Sequence, residues 1–403
     1  MAAEALPPAS GAWHPGLPPA RRRFFELSPQ RPFGLEGGGL LHQPVLAFET
    51  WGELDATASN AILVCHALTG DAHAHGPSDP PGQLTEGWWN DFIGPGRPLD
   101  TDRYFVVCAN NLGGCQGSTG PSSTDPATGR RYCAGFPVVT IRDIVRSQAA
   151  LGEHLGVHRW AAVVGGSMGG MQSLEWAVTH PDRVAATVVI AACAAATAQQ
   201  IAWSSAGRHA IVDDPGFAGG DYYDAPAGAG PHRGLANARR IAMIHYRSAD
   251  EFDRRFDRQS EEALAPFRMG QRFDVERYLD YHGDKICDRF DANTYLVLNK
   301  CMDLHDIGRG RGGVDGALAR IRSATMVMSV NSDFLYPRAQ QMRIVDALAD
   351  QVTVEHVDID SDNGHDAFLT EPHQSGPPMG RFIDEVAKAQ KRASGRGAGS
   401  ARR

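Results

Sequence analysis

Long apolar runs are missing from this sequence. No stretch approaches the ~18 residues of a membrane span, and residues 1–19, rich in Ala and Pro, hold no continuous apolar segment of the kind a secretory signal needs. Cysteine is sparse and unpatterned: Cys65, Cys108, Cys115, Cys133, Cys193, Cys287 and Cys301 are an odd set without a Cys-x-x-Cys pair. Free thiols in a reducing cytoplasm are therefore expected, rather than a disulfide framework or a zinc site. A basic excess is missing too. With 39 Lys and Arg against 47 Asp and Glu, the net charge is −8, which argues against a nucleic-acid or membrane-surface binder. No repeat of the solenoid kind is visible.

What is present is globular. Of 403 residues, 42% are hydrophobic and 21% charged, enough for a sizeable core and too apolar for global disorder. At ~100–200 residues per domain, the length allows two or three domains, or one large α/β domain with an insertion. Two ends look dispensable: residues 1–20, a Pro-rich lead, and residues 389–403, a basic Gly/Ser/Arg tail without apolar periodicity. Both are expected to stay unordered.

Between them, short apolar runs alternate with helical patterns. Ala61–Cys65, Tyr104–Cys108, Trp160–Val164, Ala185–Ala191, Thr325–Val330 and Val352–Ile359 read as strands. Most are near-continuously apolar, as strands covered on both faces must be. Helical spacing predicts helices over Thr140–Leu155 and Met171–Val178. The expected fold is α/β, with a mostly parallel sheet and helices on both faces. From about 194 to 315 strand signals vanish and amphipathic segments take over, such as Gly234–Tyr246 and Ala292–Leu304. This predicts a core over 21–193, a helical lid over 194–315 and the rest of the core over 316–388.

The most informative segment is Trp160–Val178, where Gly165-x-Ser167-x-Gly169 directly follows an apolar strand and precedes a helix. A serine on so tight a turn is lifted clear of the sheet, and flanking glycines avoid clashes with nearby backbone. The pentapeptide alone is weak, since this composition gives about 0.26 chance matches per chain. Its strand–turn–helix setting makes Ser167 a nucleophile candidate, with the Met168 amide as an oxyanion donor. The rival reading is a merely tight Gly-Ser turn.

A nucleophilic serine needs a base and an orienting carboxylate, in the chain order Ser, Asp, His on loops after successive strands. His365 lies in a turn-rich loop past the last strand, and Asp333 follows the strand ending at Val330. His356 reads as a sheet residue. His73 and His75, at i,i+2 with no third ligand, make a poor metal pair. The loop Cys65–Gly70 is the candidate source of a second oxyanion donor, the Leu68 amide, although it could be an ordinary strand exit.

At His66–Ala74, Gly87–Ser123, Gly165–Ala177, Gly234–Ile241, Ser332–Pro337 and Gly364–Leu369 the chain reads HALTGDAHA, a GWWNDFIGPG…GPSS block, GGSMGGMQSLEWA, GLANARRI, SDFLYP and GHDAFL. These segments resemble the homoserine O-acyltransferase family of the α/β-hydrolase fold, its acetyl-transferring members in particular. The resemblance covers roughly 40–385. It implies acyl transfer from acetyl-coenzyme A, as donor substrate rather than bound cofactor, to the hydroxyl of L-homoserine, the activating step of methionine synthesis. It implies Ser167, Asp333 and His365 as the triad, and Arg239 and Asp366 as contacts to the amino acid. Homodimers formed through the lid follow from it as well. Arg is a natural fork for a carboxylate, and an acid can hold an ammonium group. Succinyl-using members carry an arginine where this chain has Leu335, which favours acetyl, with Arg338 the competing charge nearby. The alternatives are a homoserine or serine O-succinyltransferase, a serine esterase with the same triad and, outside enzymes, a binding scaffold.

Overall fold

A computed structural model describes residues 6–28, 30–79, 81–260, 269–270 and 272–400. Eight strands form the main sheet: β1 Arg23–Glu26, β2 Val45–Trp51, β3 Ala61–Cys65, β4 Phe105–Ala109, β5 Trp160–Gly166, β6 Val184–Ile190, β7 Ala324–Val330 and β8 Val354–Ile359. Their spatial order is β1-β2-β4-β3-β5-β6-β7-β8. From β4 to β8 every pairing is parallel, while β2 runs antiparallel to both its neighbours. The strands expected at the centre are therefore present. Their apolar runs have the anticipated cause: along β3, Leu63 and Cys65 face one core, whereas Ile62 and Val64 face the other.

The first core is closed by α1 Ile141–His154 and α2 Met168–Thr179, through Ile144, Leu151, Leu174 and Trp176. Thr140 caps α1, its hydroxyl and the Asp143 carboxylate forming a reciprocal capping box. Between β6 and β7 the chain is helical: α3 Ala198–Val212, α4 His232–Tyr246, α5 Ala249–Phe256, α6 Asp274–Cys287, α7 Ala292–Asp303 and α8 Gly313–Leu318. After β7 come α9 Arg338–Leu348 and, beyond β8, α10 Ala367–Thr370 and α11 Pro372–Ser400. The second core is covered by Met379, Phe382 and Ile383 of α11. Among the described residues no helix is long and apolar enough to cross a membrane.

Both ends depart from expectation. Residues 6–20 are docked rather than loose. The Pro7 carbonyl accepts from the Gly228 amide at 2.8 Å, Ser10 Oγ donates to Asp291 at 2.7 Å, and the Gly11 amide donates to Phe290 at 3.1 Å. A Pro-rich segment cannot join a helix, but its carbonyls still serve as acceptors for a neighbouring surface. At the other end α11 continues past 388 to Ser400. Lys388 to Arg392 are good helix formers without a β-branched residue, and a helix satisfies its own backbone without a buried face. Residues 1–5 and 401–403 lie outside the described residues.

Candidate active site

Because β5 to β8 are parallel, the loops leaving their carboxyl ends gather at one edge. Ser167 follows β5, with φ +56° and ψ −126°, a left-handed conformation that puts a non-glycine residue under strain. Its amide is fixed by the Ile190 carbonyl at 2.9 Å. The flanking glycines are required by space. A Cβ on Gly165 would sit 2.4 Å from the Gly169 backbone, on Gly166 2.4 Å from the Phe368 ring, and on Gly169 2.0 Å from the Cys65 carbonyl.

Asp333, beyond β7, faces the Nδ1 of His365, beyond β8, at 2.8 Å, and both side chains are almost fully buried. The other Asp333 oxygen accepts from the amides of Leu335 and Tyr336, each at 2.9 Å. An ionised carboxylate only accepts, so Nδ1 carries the proton and Nε2 is left with its lone pair. The imidazole is packed by Tyr336 at 5.1 Å, Phe368 at 5.5 Å and Tyr246 at 5.7 Å between ring centroids. Phe368 lies against Gly166, and Tyr246 and Tyr336 line the same cavity as Ser167. Asp333 and His365 are thus brought together, and two of the rings that pack His365 line the cavity of Ser167.

Leu68 lines that cavity as well. Its loop is fixed on three sides. His66 Nε2 accepts from the Asn111 amide at 2.9 Å, and burial pushes the His66 imidazole down, which keeps that nitrogen unprotonated. Gln172 of α2 donates to the carbonyls of His66 and Met168 at 3.1 and 3.3 Å, and is itself held by Gln148 at 2.7 Å. From the helical insertion, Arg289 donates to the Thr69 carbonyl at 2.9 Å. Met168 is the first residue of α2, where an amide has no intrahelical acceptor. The Gln148–Gln172 relay, Arg289 and Tyr246 were not anticipated. Polar side chains at buried helical positions, such as Gln172, were the one local signal.

Arg239, on α4, stands 5.5 Å from the centroid of the Tyr246 ring, and among the described residues no carboxylate reaches ion-pair distance of it. With Thr69, His282 and Arg289 it lines a cleft of about 320 Å³ on the outer side of the Leu68 loop. The crowding of positive charge has a cost. Burial and the Arg239 and Arg247 guanidiniums push His282 down to about 4, and burial followed by Arg239 lowers Arg289. Asp366 pairs with Arg247 at 3.3 Å. Burial pushes the Tyr246 phenol up, with Arg239 opposing that shift and Asp366 adding to it.

Leu335 is 8% exposed and lines the cavity beside Ser167, while Arg338 is turned away onto Asp358 at the sheet edge, at 2.7 Å. His356 bonds Ser329 within the sheet, and His73 pairs with buried Glu49 at 2.8 Å. None of the seven cysteines is in a disulfide, and six are buried.

Comparison with known proteins gives the fold and the kinship of the chain. The family model described as the alpha/beta hydrolase fold matches residues 60–372. Homoserine O-acetyltransferase of Thermobifida fusca (strain YX) is 56% identical over 369 residues, 91% of this chain and 95% of its own. Its counterpart from Clavibacter michiganensis subsp. michiganensis is 50% identical over 382 residues, 94% and 97% of the two chains. Among solved structures, homoserine O-acetyltransferase from Bacillus anthracis superposes with a TM-score of 0.82 at 28% identity, covering 90% of this chain and 97% of that one. Esterase E22 also superposes at 0.82, with 27% identity, covering 90% and 100%. The backbone alone therefore does not separate acyl transfer from ester hydrolysis, but the identities do assign kinship. The chain belongs to the homoserine O-acetyltransferase family of α/β-hydrolase-fold proteins.

Proposed function

We propose that the protein transfers an acetyl group from acetyl-coenzyme A to the side-chain hydroxyl of L-homoserine through an acyl-Ser167 intermediate, as a step of methionine synthesis in the cytoplasm. His365 Nε2 takes the proton of Ser167 Oγ as the oxygen attacks the thioester carbon. The Met168 and Leu68 amides receive the oxyanion. Collapse breaks the C–S bond, and the proton on His365 leaves with the coenzyme A thiol. Homoserine then enters, His365 deprotonates its hydroxyl, and attack on the ester returns Ser167 and releases O-acetylhomoserine. Asp333 holds the imidazole in the tautomer these steps need and stabilises its cationic form. We carry the homodimer, assembled through the helical insertion, as part of this proposal.

One observation carries transfer over hydrolysis: the Arg239 guanidinium stands 5.5 Å from the ring of Tyr246, which also lines the serine cavity, and a carboxylate, Asp366, directly follows His365. A zwitterionic acceptor needs such a pair of opposite charges in a partly desolvated site; water does not. Arg247 holds Asp366 until an ammonium group competes for it. The esterase reading is favoured by the fold shared with esterase E22.

The experiment is acetyl-coenzyme A turnover with and without homoserine, reading product mass. O-acetylhomoserine formed much faster than free acetate supports transfer. Equal release of coenzyme A with and without homoserine overturns it. A parallel competition between acetyl- and succinyl-coenzyme A decides the donor, since Leu335 offers no charge to a second carboxylate.

A further inference from the structure

The cavity beside Ser167 is walled largely by the helical insertion, and Arg239 is not part of its lining. Its open space, about 30 Å³, is enclosed by α3, α4, α7 and the Leu335 loop, with Trp203, Gly207, Tyr295 and Asp303 on its walls. By the measure in which roughly 15 Å³ accommodates one water, that is room for about two non-hydrogen atoms.

Gly207 is the unusual wall. It lies in the interior of α3, where glycine is the least favourable residue apart from proline. Neither of the ordinary reasons for glycine applies. Its φ is not positive, and a Cβ placed there would meet nothing nearer than Ala238 Cβ and Tyr295 Oη, both at 3.7 Å, an ordinary contact. The backbone does not need glycine here and neither does packing; what its missing methyl leaves is a methyl-sized gap in the wall of the cavity that Ser167 also lines. Asp303 is 4% exposed and holds Arg208 at 2.6 Å. That pair leaves no free charge on the wall, and His245, another wall residue, is pushed down to about 3 by burial first and then by His365 and Arg239, so it brings no cation.

We infer that this cavity receives the acyl tail of the serine ester, and that Gly207 and Trp203 set the length of acyl group the protein accepts, two to three carbons without a terminal charge. The inference rests on the acyl-Ser167 reading proposed above. With the carbonyl oxygen of the ester turned to the Met168 and Leu68 amides, the tail is the part left to fill the space. A methyl or ethyl group fits. A butyryl tail is too long, and a succinyl tail would also bury its carboxylate in a cavity whose lining, among the described residues, holds no Lys or Arg.

The test measures kcat/KM for acetyl-, propionyl- and butyryl-coenzyme A with homoserine in the wild-type protein, Gly207→Ala and Trp203→Leu. Gly207→Ala is expected to fold at least as well as wild type, because alanine favours the helix, and its Tm reports that directly. It should lower the propionyl-to-acetyl ratio by ~10-fold, the effect of about one methylene of space. Trp203→Leu should raise the butyryl-to-acetyl ratio by ~10-fold. A shift of fivefold or more in the stated direction for Gly207→Ala supports the assignment. A smaller or opposite shift in a folded Gly207→Ala protein overturns it, whatever becomes of Trp203→Leu. Wild-type protein that transfers no acyl group to homoserine would instead overturn the function proposed above, so the two failures are distinct.

Discussion

Glycine plays opposite parts in the nucleophile turn and in the helical insertion. At Gly169 a single methyl would come within 2.0 Å of the Cys65 carbonyl, against 3.7 Å for the nearest atom at Gly207. The first region is over-determined: strand, turn and helix are pressed together until only one backbone path remains. The second is a set of amphipathic helices tied to the sheet edge by a few polar links, such as Arg289 to Thr69, Gln200 to Leu335 and Ser248 to Asp362. On the proposed function, reactivity belongs to the tightly packed turn and choice of reactants to the insertion. Substitutions should divide in the same way, the turn affecting all turnover and fold, the insertion affecting which molecules react.

The sharpest break lies at the turn. Ser167→Ala is expected to lower kcat by ~10⁴-fold or more while Tm stays within a few degrees of wild type. Asp333→Asn should approach ~10⁴-fold, because an amide nitrogen facing Nδ1 selects the wrong imidazole tautomer. Single-turnover release of coenzyme A measures both; a loss under tenfold in either would remove that residue from the mechanism. Gly169→Ala forces backbone apart and should destabilise by ~1–3 kcal/mol or more, visible as a lowered denaturation midpoint. If Gly169→Ala and Gly207→Ala have the same midpoint, the contrast between the regions disappears. On the insertion side, Arg239→Ala should raise KM for homoserine by ~10–100-fold through loss of a charged fork worth about 1.5–3 kcal/mol. The burst of coenzyme A from acylation should persist. Its loss would mean that Arg239 serves the donor as well.

What could be read in advance follows the same division. Strands β3 and β5 to β7 were legible because burial on both faces leaves an unbroken apolar run. β1 and β2 were not. β1 is mostly exposed, and β2 carries Glu49, a carboxylate buried on the distant His73, which interrupts the pattern for a reason no local window contains. The strained turn at Ser167 and the pairing of Asp333 with His365 were legible through chain order and loop placement. Tyr246 and Arg289 were not, since their role depends on partners far along the chain: Arg289 reaches Thr69 across 220 positions. The Pro-rich lead was misread because composition reports what cannot form a helix, not what a carbonyl can meet.

The mildest test of the contrast is protonic. Burial keeps His245 at about 3 and His180 and His282 at about 4, all below the ~6.5 of an unfolded chain. A group with a depressed folded pKa is neutral in the fold and takes up its proton on unfolding. Its contribution is complete above pH ~6.5 and is lost as pH falls toward 4. His73, raised by its hydrogen bond and charge interaction with Glu49, acts in the opposite sense, so its contribution is present at low pH and lost as pH rises through its folded value. His245 is 8% exposed and its Nδ1 has no hydrogen-bond partner, whereas His180 and His282 are only partly buried and screened by solvent. It should therefore dominate the acid limb. Replacing it by leucine removes the titration and leaves Nδ1 no longer unsatisfied. The slope of unfolding free energy between pH 6 and 4.5 should then flatten by up to one proton, about 1.4 kcal/mol per pH unit. An unchanged slope in His245→Leu would show that His245 does not set the acid limb, which would then fall to other groups, His282 of α6 and His180 first among them.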